Sequence, residues 1–514
     1  MHHPLRVAVV ASTCDEMLRN LSKALDTVER ISPITSRGTP QVAFTFAGQG
    51  SLYIGAGKKL YHDSPEFSSQ LQQYNLFCKL HGFPDIISII DGSVESSDIT
   101  PLATSLAIVC VEMALAKFWA SLGAHPSVVI GHSLGEYAAL HVAGVLSASD
   151  AIYLVGKRAQ IISRDCEISS HSMLAVRATV DQIERCLENM PFEYACRNSK
   201  SENVLAGSRI AMAAARQCLQ DRGYQCHELD LPVAFHSAQM DPILDAFEAV
   251  AARVVFNAPS IPVISPLRSR VVFDAKTFSA RYLRDATRQP VEFVAALEIA
   301  QKMQIVSINT AWIDIGMHPI CSTFIRDSIP GAKVVVSSLN RREDNWTTLS
   351  NSCAVLHSVG VFVDWSVYHR PYAACHRLLD LPKYSWNNKN YWIQYNGNWA
   401  LTKGNSSMEA KIAPVVKSPL KTSSVHRVLD LNIRKPWECS MVVESDVVQS
   451  DFLEAAWGHR MNNCAVVTSV CYSETYQRSS LFINNFLSSL SMPISLLQLQ
   501  NSCMNGWKQR RPAI

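Results

Sequence analysis

The sequence predicts an α/β fold built on a hydrolase-like, mainly parallel sheet. Two apolar segments run into glycine turns: VAFTF is followed by Gly-Gln-Gly at residues 48–50, and residues 127–130 are followed by GHSLG at residues 131–135. Between them, residues 102–121 show the apolar spacing of a long helix. Strands separated by helices indicate a parallel sheet, whose ligands bind at the carboxyl ends of its strands. Both glycine turns are therefore predicted at the edge of the sheet where chemistry takes place.

The main α/β domain is predicted at residues 41–345, after an N-terminal linker at residues 1–40. Within the domain, residues 172–232 carry shorter elements in the order β-α-β-β-α-β, which predicts a small ferredoxin-like α+β insertion. From residue 346 onward the sequence is rich in Trp, Tyr, His and Pro and shows little periodicity. This change of composition predicts an extended linker over residues 346–424.

The composition indicates a cytoplasmic globular protein. The chain has 514 residues, of which 48% are hydrophobic, and a net charge of +3 with basic and acidic residues interspersed, which gives no sign of nucleic-acid binding. Its 15 cysteines form no CxxC pair or Cys/His cluster, so reduced thiols and no metal site are expected. The first apolar run is too short for a secretory signal. No membrane span is predicted, because the best apolar helix carries Ser105, Glu112 and Lys117.

Ser133 is the candidate nucleophile. A GxSxG motif between a predicted strand and a predicted helix is the context in which this motif holds a reactive serine. The glycines allow a tight turn from which the Ser133 hydroxyl projects, and backbone N–H groups at the start of the next helix can stabilise an oxyanion. A glycine-bounded turn without chemistry is the alternative for an isolated motif. The flanking strand and helix favour the nucleophile.

Two motifs together carry a family resemblance. GHSLGEYAAL at residues 131–140 and FTFAGQGS at residues 44–51 resemble the malonyl-CoA:acyl-carrier-protein transacylase family and occur in the family order. A serine needs a base to accept its proton, and among sixteen histidines the resemblance identifies His236, in an AFHS motif, as that base. It also implies that the backbone N–H groups of Gln49 and Leu134 form the oxyanion hole. A backbone carbonyl, not an acid, is expected to orient His236.

Four further residues resemble substrate-binding positions of that family. Arg158 resembles the arginine that pairs with the free carboxylate of malonate, a role that suits a planar guanidinium because it can grip a carboxylate in bidentate fashion. A solvated surface arginine is the alternative. Phe235 resembles the bulky aromatic of malonate-using members and should crowd an α-methyl group, which is worth about 1–3 kcal/mol of discrimination. His132 and Asn198 match family positions near the pocket.

Two positions depart from the family pattern. The helix that begins PLATSLAIV has Ser105 where the family usually has Gln, so a long-range hydrogen bond is expected to be lost there. The strand WIDIGMHP has Met317 where the family often has Pro, and this change is expected to be tolerated. The pocket near Ser105 is therefore expected to differ from that of the family.

The sequence after the main domain resembles parts of fungal non-reducing iterative polyketide synthases. Residues 381–404 resemble the linker that follows the transacylase, and residues 425–473 resemble the opening of a product template domain, a double hot-dog fold, whose catalytic base matches His459. Residues 474–514 form a divergent tail. An incomplete hot-dog-like α+β segment with a vestigial His459 and no cyclase activity is expected, because half of such a fold leaves a sheet edge and apolar surface uncovered.

The resemblance implies a ping-pong malonyl transfer. Malonyl-CoA would acylate Ser133, and the phosphopantetheine thiol of an acyl carrier protein would then accept the malonyl group. No bound cofactor is expected, since malonyl-CoA and the carrier protein are substrates. The expected partners are the acyl carrier protein and ketosynthase of a polyketide synthase. Two alternatives remain open: a serine hydrolase or thioesterase that passes the acyl group to water, and an inactive truncated synthase fragment.

Overall fold

The computed structural model describes residues 5–27, 40–377 and 380, and the backbone of four strands between residues 427 and 465. The chain divides into two compact units, Met1–Asp380 and Leu381–Ile514. The first unit contains the predicted α/β sheet and every candidate site residue except His459.

The α-helices of the described residues all belong to the first unit. They are α1 Cys14–Thr27, α2 Lys58–Asp63, α3 Pro65–Leu80, α4 Ile87–Asp91, α5 Pro101–Ser121, α6 Gly135–Val142, α7 Ala148–Asp165, α8 Val180–Cys186, α9 Arg209–Asp221, α10 Leu244–Ala251, α11 Ala280–Arg288, α12 Phe293–Lys302, α13 Cys321–Ser328, α14 Asn345–Ser358 and α15 Trp365–His369. Short 3-10 helices lie at Ser96–Asp98, Ala238–Ile243 and Arg370–Cys375.

The β-strands of the first unit form two sheets. The strands are β1 Val42–Phe46, β2 Val128–Gly131, β3 His171–Arg177, β4 Glu193–Arg197, β5 Glu202–Ser208, β6 Gln225–Glu228, β7 Val263–Ser265, β8 Arg270–Val272, β9 Val291–Glu292, β10 Ala311–Ile315 and β11 Val334–Ser337. In the second unit, the described strands are β12 Arg427–Lys435, β13 Glu438–Glu444, β14 Arg460–Met461 and β15 Cys464–Ala465.

The main sheet holds six strands in the order β11-β10-β1-β2-β7-β8. Neighbours from β11 to β7 are parallel, and β8 is antiparallel to β7. Every residue of β1, β2 and β10 is buried, as expected for parallel strands covered on both faces. Phe46 at the end of β1 lies opposite Gly131 of β2. The two predicted glycine turns therefore lie side by side at the carboxyl edge of the sheet.

Helix α5 lies in the core of the first unit. The Thr100 hydroxyl caps its first turn by accepting a hydrogen bond from the N–H of Ala103, and Pro101 fits the first turn because proline needs no donor there. The sequence predicted no membrane span. By length and by a mean hydropathy of 1.6 over its apolar window, however, α5 could cross a membrane. Since 83% of that window is buried inside the protein, the rest of the first unit already covers its apolar surface.

The insertion predicted at residues 172–232 forms the second sheet, with the order β6-β3-β5-β4-β9. Elements β3 to β6 follow the predicted β-α-β-β-α-β sequence, and their spatial order is that of a ferredoxin-like sheet. The insertion has a small core of its own, which includes Leu174, Ile183 and Leu205. Strand β9 adds to β4 in parallel, with Val291 opposite Cys196. Strand pairing thereby joins the insertion to β9, the part of the main domain that follows α11.

The extended linker predicted from residue 346 begins instead with a helix. Helix α14 starts at Asn345, where the Asp344 carboxylate caps the first turn. Its apolar face is fully buried in the core that contains the main sheet, through Leu349, Cys353 and Leu356. The linker prediction was therefore wrong for residues 346–358. The missed signal was the i, i+4, i+7 spacing of these three side chains among Ser, Thr and Asn residues.

The second unit shows two antiparallel strand pairs among its described residues. Strand β12 pairs with β13, and β14 pairs with β15. The β12–β13 pairing shifts register between Val428 and Asp430. His459, the tail at residues 474–514 and all of residues 381–424 lie outside the described residues. The hot-dog assignment and the role of His459 therefore stay predictions.

Candidate active site

The nucleophile turn holds Ser133 in a left-handed backbone conformation. Its φ angle is 52°, a region that residues other than glycine adopt only when the surrounding structure enforces it. Close packing enforces it here, because a Cβ added at Gly131 would lie 2.3 Å from Glu136 Cα. A Cβ added at Gly135 would lie 2.5 Å from the carbonyl oxygen of Ala47. Only glycine fits at both positions, so the chain makes a sharp strand-to-helix turn that projects the Ser133 hydroxyl.

The Gly-Gln-Gly turn after β1 packs directly against the nucleophile turn. A Cβ added at Gly48 would lie 2.8 Å from the His132 carbonyl oxygen and 3.3 Å from Ser133 Cβ. Gln49 and Leu134, the next residue in each turn, both line one large cavity. The contact between the turns therefore brings the two backbone segments of the predicted oxyanion hole to the same cavity.

His236 lies within hydrogen-bond reach of Ser133. The distance from Ser133 Oγ to His236 Nε2 is 2.7 Å, and His236 Nδ1 lies 2.9 Å from the backbone carbonyl oxygen of Gln289. Because a carbonyl oxygen only accepts, Nδ1 carries the proton and Nε2 is left to accept the proton of the serine. His236 also has a positive φ angle, 58°. Both members of the pair are thus held by strained backbone, in the arrangement of a serine activated by a neighbouring base.

Burial keeps the His236 imidazole neutral. Burial, followed by the charges of Arg158 and His132, lowers the pKa of His236 to about 3. The hydrogen bond to the Gln289 carbonyl acts in the opposite direction. Since a general base works in its unprotonated form, the imidazole can accept a proton throughout the neutral pH range.

Arg158 is buried although it carries a charge. The residue is 5% exposed, its Nε donates to Thr287 Oγ1 at 3.3 Å, and its Cζ lies 5.3 Å from the centre of the Phe235 ring. Burial lowers the pKa of Arg158, and the nearby Tyr137 and Cys166 oppose this shift. No carboxylate in the described part of the chain forms an ion pair with it. Because an unpaired buried charge is costly, this guanidinium is suited to an anionic ligand and not to a surface role.

A cavity of about 520 Å³ lies beside the paired turns. Its lining combines Arg158 with mainly apolar side chains, including Leu52, Ile54, Val155, Ile162, Leu231 and Phe235. This volume and composition are typical of a small-molecule site. Ser133 and His236 line a second, much smaller cavity of about 10 Å³. Their chain neighbours Leu134 and Phe235 line the large one, so the Ser133–His236 pair stands between the two cavities.

His132 and Asn198 contact each other. His132 Nε2 lies 2.7 Å from Asn198 Oδ1, and the imidazole packs against the rings of Phe293 and Phe324 at centroid distances of 5.7 and 5.6 Å. Neither His132 nor Asn198 belongs to the described lining of the large cavity. The pair therefore supports the turn beside Ser133, and its contact with substrate stays a prediction.

Ser105 lies on the wall of the large cavity. Its hydroxyl donates to the Pro101 carbonyl oxygen at 2.9 Å, one turn earlier in α5. The serine therefore satisfies its hydroxyl locally, where a longer side chain would reach across the cavity. Met317 is fully buried, and the tolerance of methionine at this position stays a prediction.

Sequence reasoning missed two residues at the end of α11. Thr287 accepts a hydrogen bond from Arg158, and the Gln289 carbonyl accepts one from His236. A backbone carbonyl has no side-chain signature, so Gln289 could not be identified by residue type. The available signal was Pro290, which disfavours helical backbone at the residue before it and so marks the end of α11 near the site.

The comparison with protein families matches residues 43–363 to the acyl transferase domain. Among curated relatives, the chain is similar to atrochrysone carboxylic acid synthase of Aspergillus chevalieri, with 48% identity over 92% of this chain and 27% of the relative. It is also similar to a non-reducing polyketide synthase of Neosartorya fischeri, with 43% identity over 92% of this chain and 27% of the relative. The chain thus spans about a quarter of the length of these relatives.

Solved structures share the fold of the first unit. The acyltransferase domain from the second module of the salinomycin polyketide synthase aligns with a TM-score of 0.63 and 28% identity, over 73% of this chain and 87% of that chain. An acyl-carrier-protein S-malonyltransferase from Burkholderia pseudomallei aligns with a TM-score of 0.54 and 25% identity, over 61% of this chain and 99% of that chain. The main sheet with its inserted small sheet therefore matches the α/β architecture of acyltransferases.

Proposed function

The chain belongs to the acyl transferase domain family, and on that premise we propose that it moves malonyl from malonyl-CoA to the phosphopantetheine thiol of an acyl carrier protein. The observation that carries the proposal is the meeting of three groups at the carboxyl edge of the main sheet: the Ser133 hydroxyl, the neutral His236 and the buried, unpaired Arg158. The first two supply acyl transfer through a serine ester. The third selects an acyl group that carries a free carboxylate.

The first half-reaction acylates Ser133. His236 Nε2 takes the hydroxyl proton as Ser133 Oγ attacks the thioester carbonyl carbon, and the backbone N–H groups of Gln49 and Leu134 stabilise the resulting oxyanion. The carbon–sulfur bond then breaks, and His236 returns the proton to the sulfur of CoA, which leaves as a thiol. The Gln289 carbonyl holds the imidazole tautomer that this step requires.

In the second half-reaction, the malonyl group passes from Ser133 to the carrier thiol. CoA departs, and the phosphopantetheine thiol enters with its sulfur near the malonyl-serine ester. His236 takes the thiol proton, the sulfur attacks the ester carbon, and the same two N–H groups hold the new oxyanion. The carbon–oxygen bond breaks and Ser133 Oγ recovers its proton from His236. The carrier protein leaves with malonyl as a thioester.

Arg158 and Phe235 select the acyl group. The Arg158 guanidinium, fixed by Thr287 on one side and by the Phe235 ring on another, pairs with the distal carboxylate of malonate. Such a bidentate pair needs a planar, permanently charged donor set. The Phe235 ring precedes the base directly and occupies the space beside the α-carbon. An α-methyl group would meet this ring, and a penalty of about 1–3 kcal/mol is expected for it.

The wider role is a step of polyketide biosynthesis with fungal-type partners. Similarity to polyketide synthases over 92% of the chain supports an acyl carrier protein and a ketosynthase as partners. The proposal extends to residues 425–473, with His459, as the opening of a product template domain, on the resemblance of their sequence to that domain. The free cysteines of the described residues support a cytoplasmic location.

Competition between two acceptors tests the proposal. The purified chain is given malonyl-CoA with and without a phosphopantetheine-bearing carrier protein, and malonyl-carrier and free malonate are both quantified. Transfer to the carrier should exceed release of malonate, and Ser133→Ala should abolish both. Faster malonate release without the carrier would identify a serine hydrolase instead. Absence of both products with the unaltered chain would identify an inactive fragment.

A further inference from the structure

A directional chain of hydrogen bonds lies behind the nucleophile. The backbone N–H of Arg268 donates to Ser265 Oγ at 3.1 Å, and Ser265 Oγ lies 2.6 Å from the Tyr282 hydroxyl oxygen. The Tyr282 hydroxyl donates in turn to the Glu136 carboxyl. Because the single proton of Tyr282 goes to Glu136, Ser265 must donate to Tyr282, so every donor points toward Glu136. Bonds aligned in this way in a buried site polarise and strengthen one another.

The chain of bonds connects α6, which follows the nucleophile turn, to α11, whose end orients the base. Glu136 lies in the first turn of α6, directly after the Ser133 turn, and Tyr282 lies on α11. Seven residues after Tyr282, Gln289 caps α11 and gives His236 its carbonyl partner. Gln289 has an extended backbone, with a ψ angle of 155°, so its carbonyl oxygen leaves the helical direction and meets His236. The Tyr282–Glu136 bond therefore fixes the helix that ends at the base against the helix that begins at the nucleophile.

The space between the two helices is almost completely filled. Ser133, Glu136, His236 and Gln289 all line the cavity of about 10 Å³, which is about the volume of one water probe. Glu136 is 7% exposed and Tyr282 is 1% exposed. A shift of α11 would therefore have to break the Tyr282–Glu136 bond or open a void.

We propose that Glu136 and Tyr282 are positioning residues for the general base. Their hydrogen bond holds α11 against α6, and the Gln289 carbonyl at the end of α11 then holds His236 within reach of Ser133. Neither side chain belongs to the described lining of the large cavity, so they act on the rate of Ser133 acylation and not on substrate affinity. The inference rests on the proposed roles of Ser133 and His236.

The test measures how fast a fluorophosphonate labels Ser133 in the full chain, because this reagent needs an activated serine but no malonyl group. Tyr282→Phe keeps the ring that packs on Phe278 at 5.0 Å and removes only the donor. It should lower the labelling rate by about tenfold, a fraction of what a general base supplies. Glu136→Leu should show the same loss, whereas Glu136→Gln keeps an oxygen acceptor and should recover most of the rate. The KM for malonyl-CoA should stay unchanged throughout.

Tyr194→Phe is the matched control. It removes a tyrosine hydroxyl that contacts the Val180 carbonyl in the insertion, and it should label at the rate of the unaltered chain. If Tyr282→Phe does not fold, Ser265→Ala, which removes the bond into Tyr282 together with the bond from the Arg268 N–H, should show a smaller loss in the same direction. If the folded Tyr282 or Ser265 variants are labelled as fast as the unaltered chain, the positioning role of Glu136 and Tyr282 is wrong. The proposed roles of Ser133 and His236 would stand. An unaltered chain that is not labelled would overturn the proposed function and this inference with it.

Discussion

At the scale of single residues, burial decides what the three central side chains can do. It keeps His236 unprotonated, and it places the Arg158 guanidinium in a buried position with no carboxylate ion-pair partner among the described residues. Packing around Ser133 forces a backbone angle that projects its hydroxyl toward His236. Each group thus owes its chemical character to the residues around it, as is typical of functional sites.

Exchanging Arg158 for methionine tests the carboxylate role. The kcat/KM for malonyl-CoA should fall by about 10- to 100-fold, because a hydrogen bond to a charged group is worth about 1.5–3 kcal/mol. Acetyl-CoA has no distal carboxylate, so its kcat/KM should change little. Lys157→Met is the control, because this substitution removes a positive charge from the same helix. The Lys157 ammonium donates to the Gln160 side chain and has no predicted role with substrate. An unchanged ratio of malonyl to acetyl transfer would exclude the role.

The pH dependence tests the state of His236. Its pKa in the fold, about 3, lies below the ordinary value of 6.5, so the neutral base persists as the pH falls and is lost only near the lower value. Labelling of Ser133 by a fluorophosphonate should therefore stay nearly constant between about pH 5 and pH 8. Arg158→Met removes a charge that lowers this pKa and should move the acid limb to higher pH. A decline centred near 6.5 in the unaltered chain would contradict this account.

At the scale of elements, two turns and one helix end build the site. The turns meet because β1 and β2 are neighbours in register, and α11 supplies both Thr287 and the Gln289 carbonyl. The sequence predicted the turns well, since glycine spacing after apolar strands is a strong local signal. It identified His236 through a motif only, because no local pattern reports that two distant segments meet. The contribution of α11 was missed because it depends on tertiary packing.

Gly48→Ala tests the contact between the turns. The new Cβ would lie 2.8 Å from a backbone oxygen that cannot move freely, so the free energy of unfolding should fall by about 1–3 kcal/mol. Labelling of Ser133 should slow as well, because the clash separates the turns. Gly207→Ala is the control, since its nearest neighbour is the flexible Met212 Cε at 3.0 Å. Equal stability of the two variants in thermal unfolding would show that the contact is not tight.

At the scale of the whole molecule, the first unit holds the complete site. The sequence predicted the two strands that carry the glycine turns and the inserted sheet, because apolar strands and helices have clear periods. It did not identify β7, β8 or β11. It placed the end of the main domain too early. The aromatic and polar residues around α14 made its three core side chains, Leu349, Cys353 and Leu356, difficult to recognise in the sequence. Their packing in the structure shows that these three side chains belong to the core.

Two truncations test where the catalytic unit ends. A chain of residues 1–380 should fold and be labelled at Ser133, because it keeps the whole first unit. A chain of residues 1–345 lacks nearly all of α14 and should be insoluble or molten, since losing Leu349, Cys353 and Leu356 uncovers the core. Solubility and a cooperative thermal transition are the measurements. A stable, labelled 1–345 chain would show that α14 is dispensable.

Intact-mass spectrometry after exposure to malonyl-CoA shows whether Ser133 carries the malonyl group. The unaltered chain should gain the mass of one malonyl group, peptide mapping should place it on Ser133, and adding the carrier protein should remove it. Ser133→Ala should gain nothing. Malonyl found on another residue, or the same gain in Ser133→Ala, would show that Ser133 is not the nucleophile.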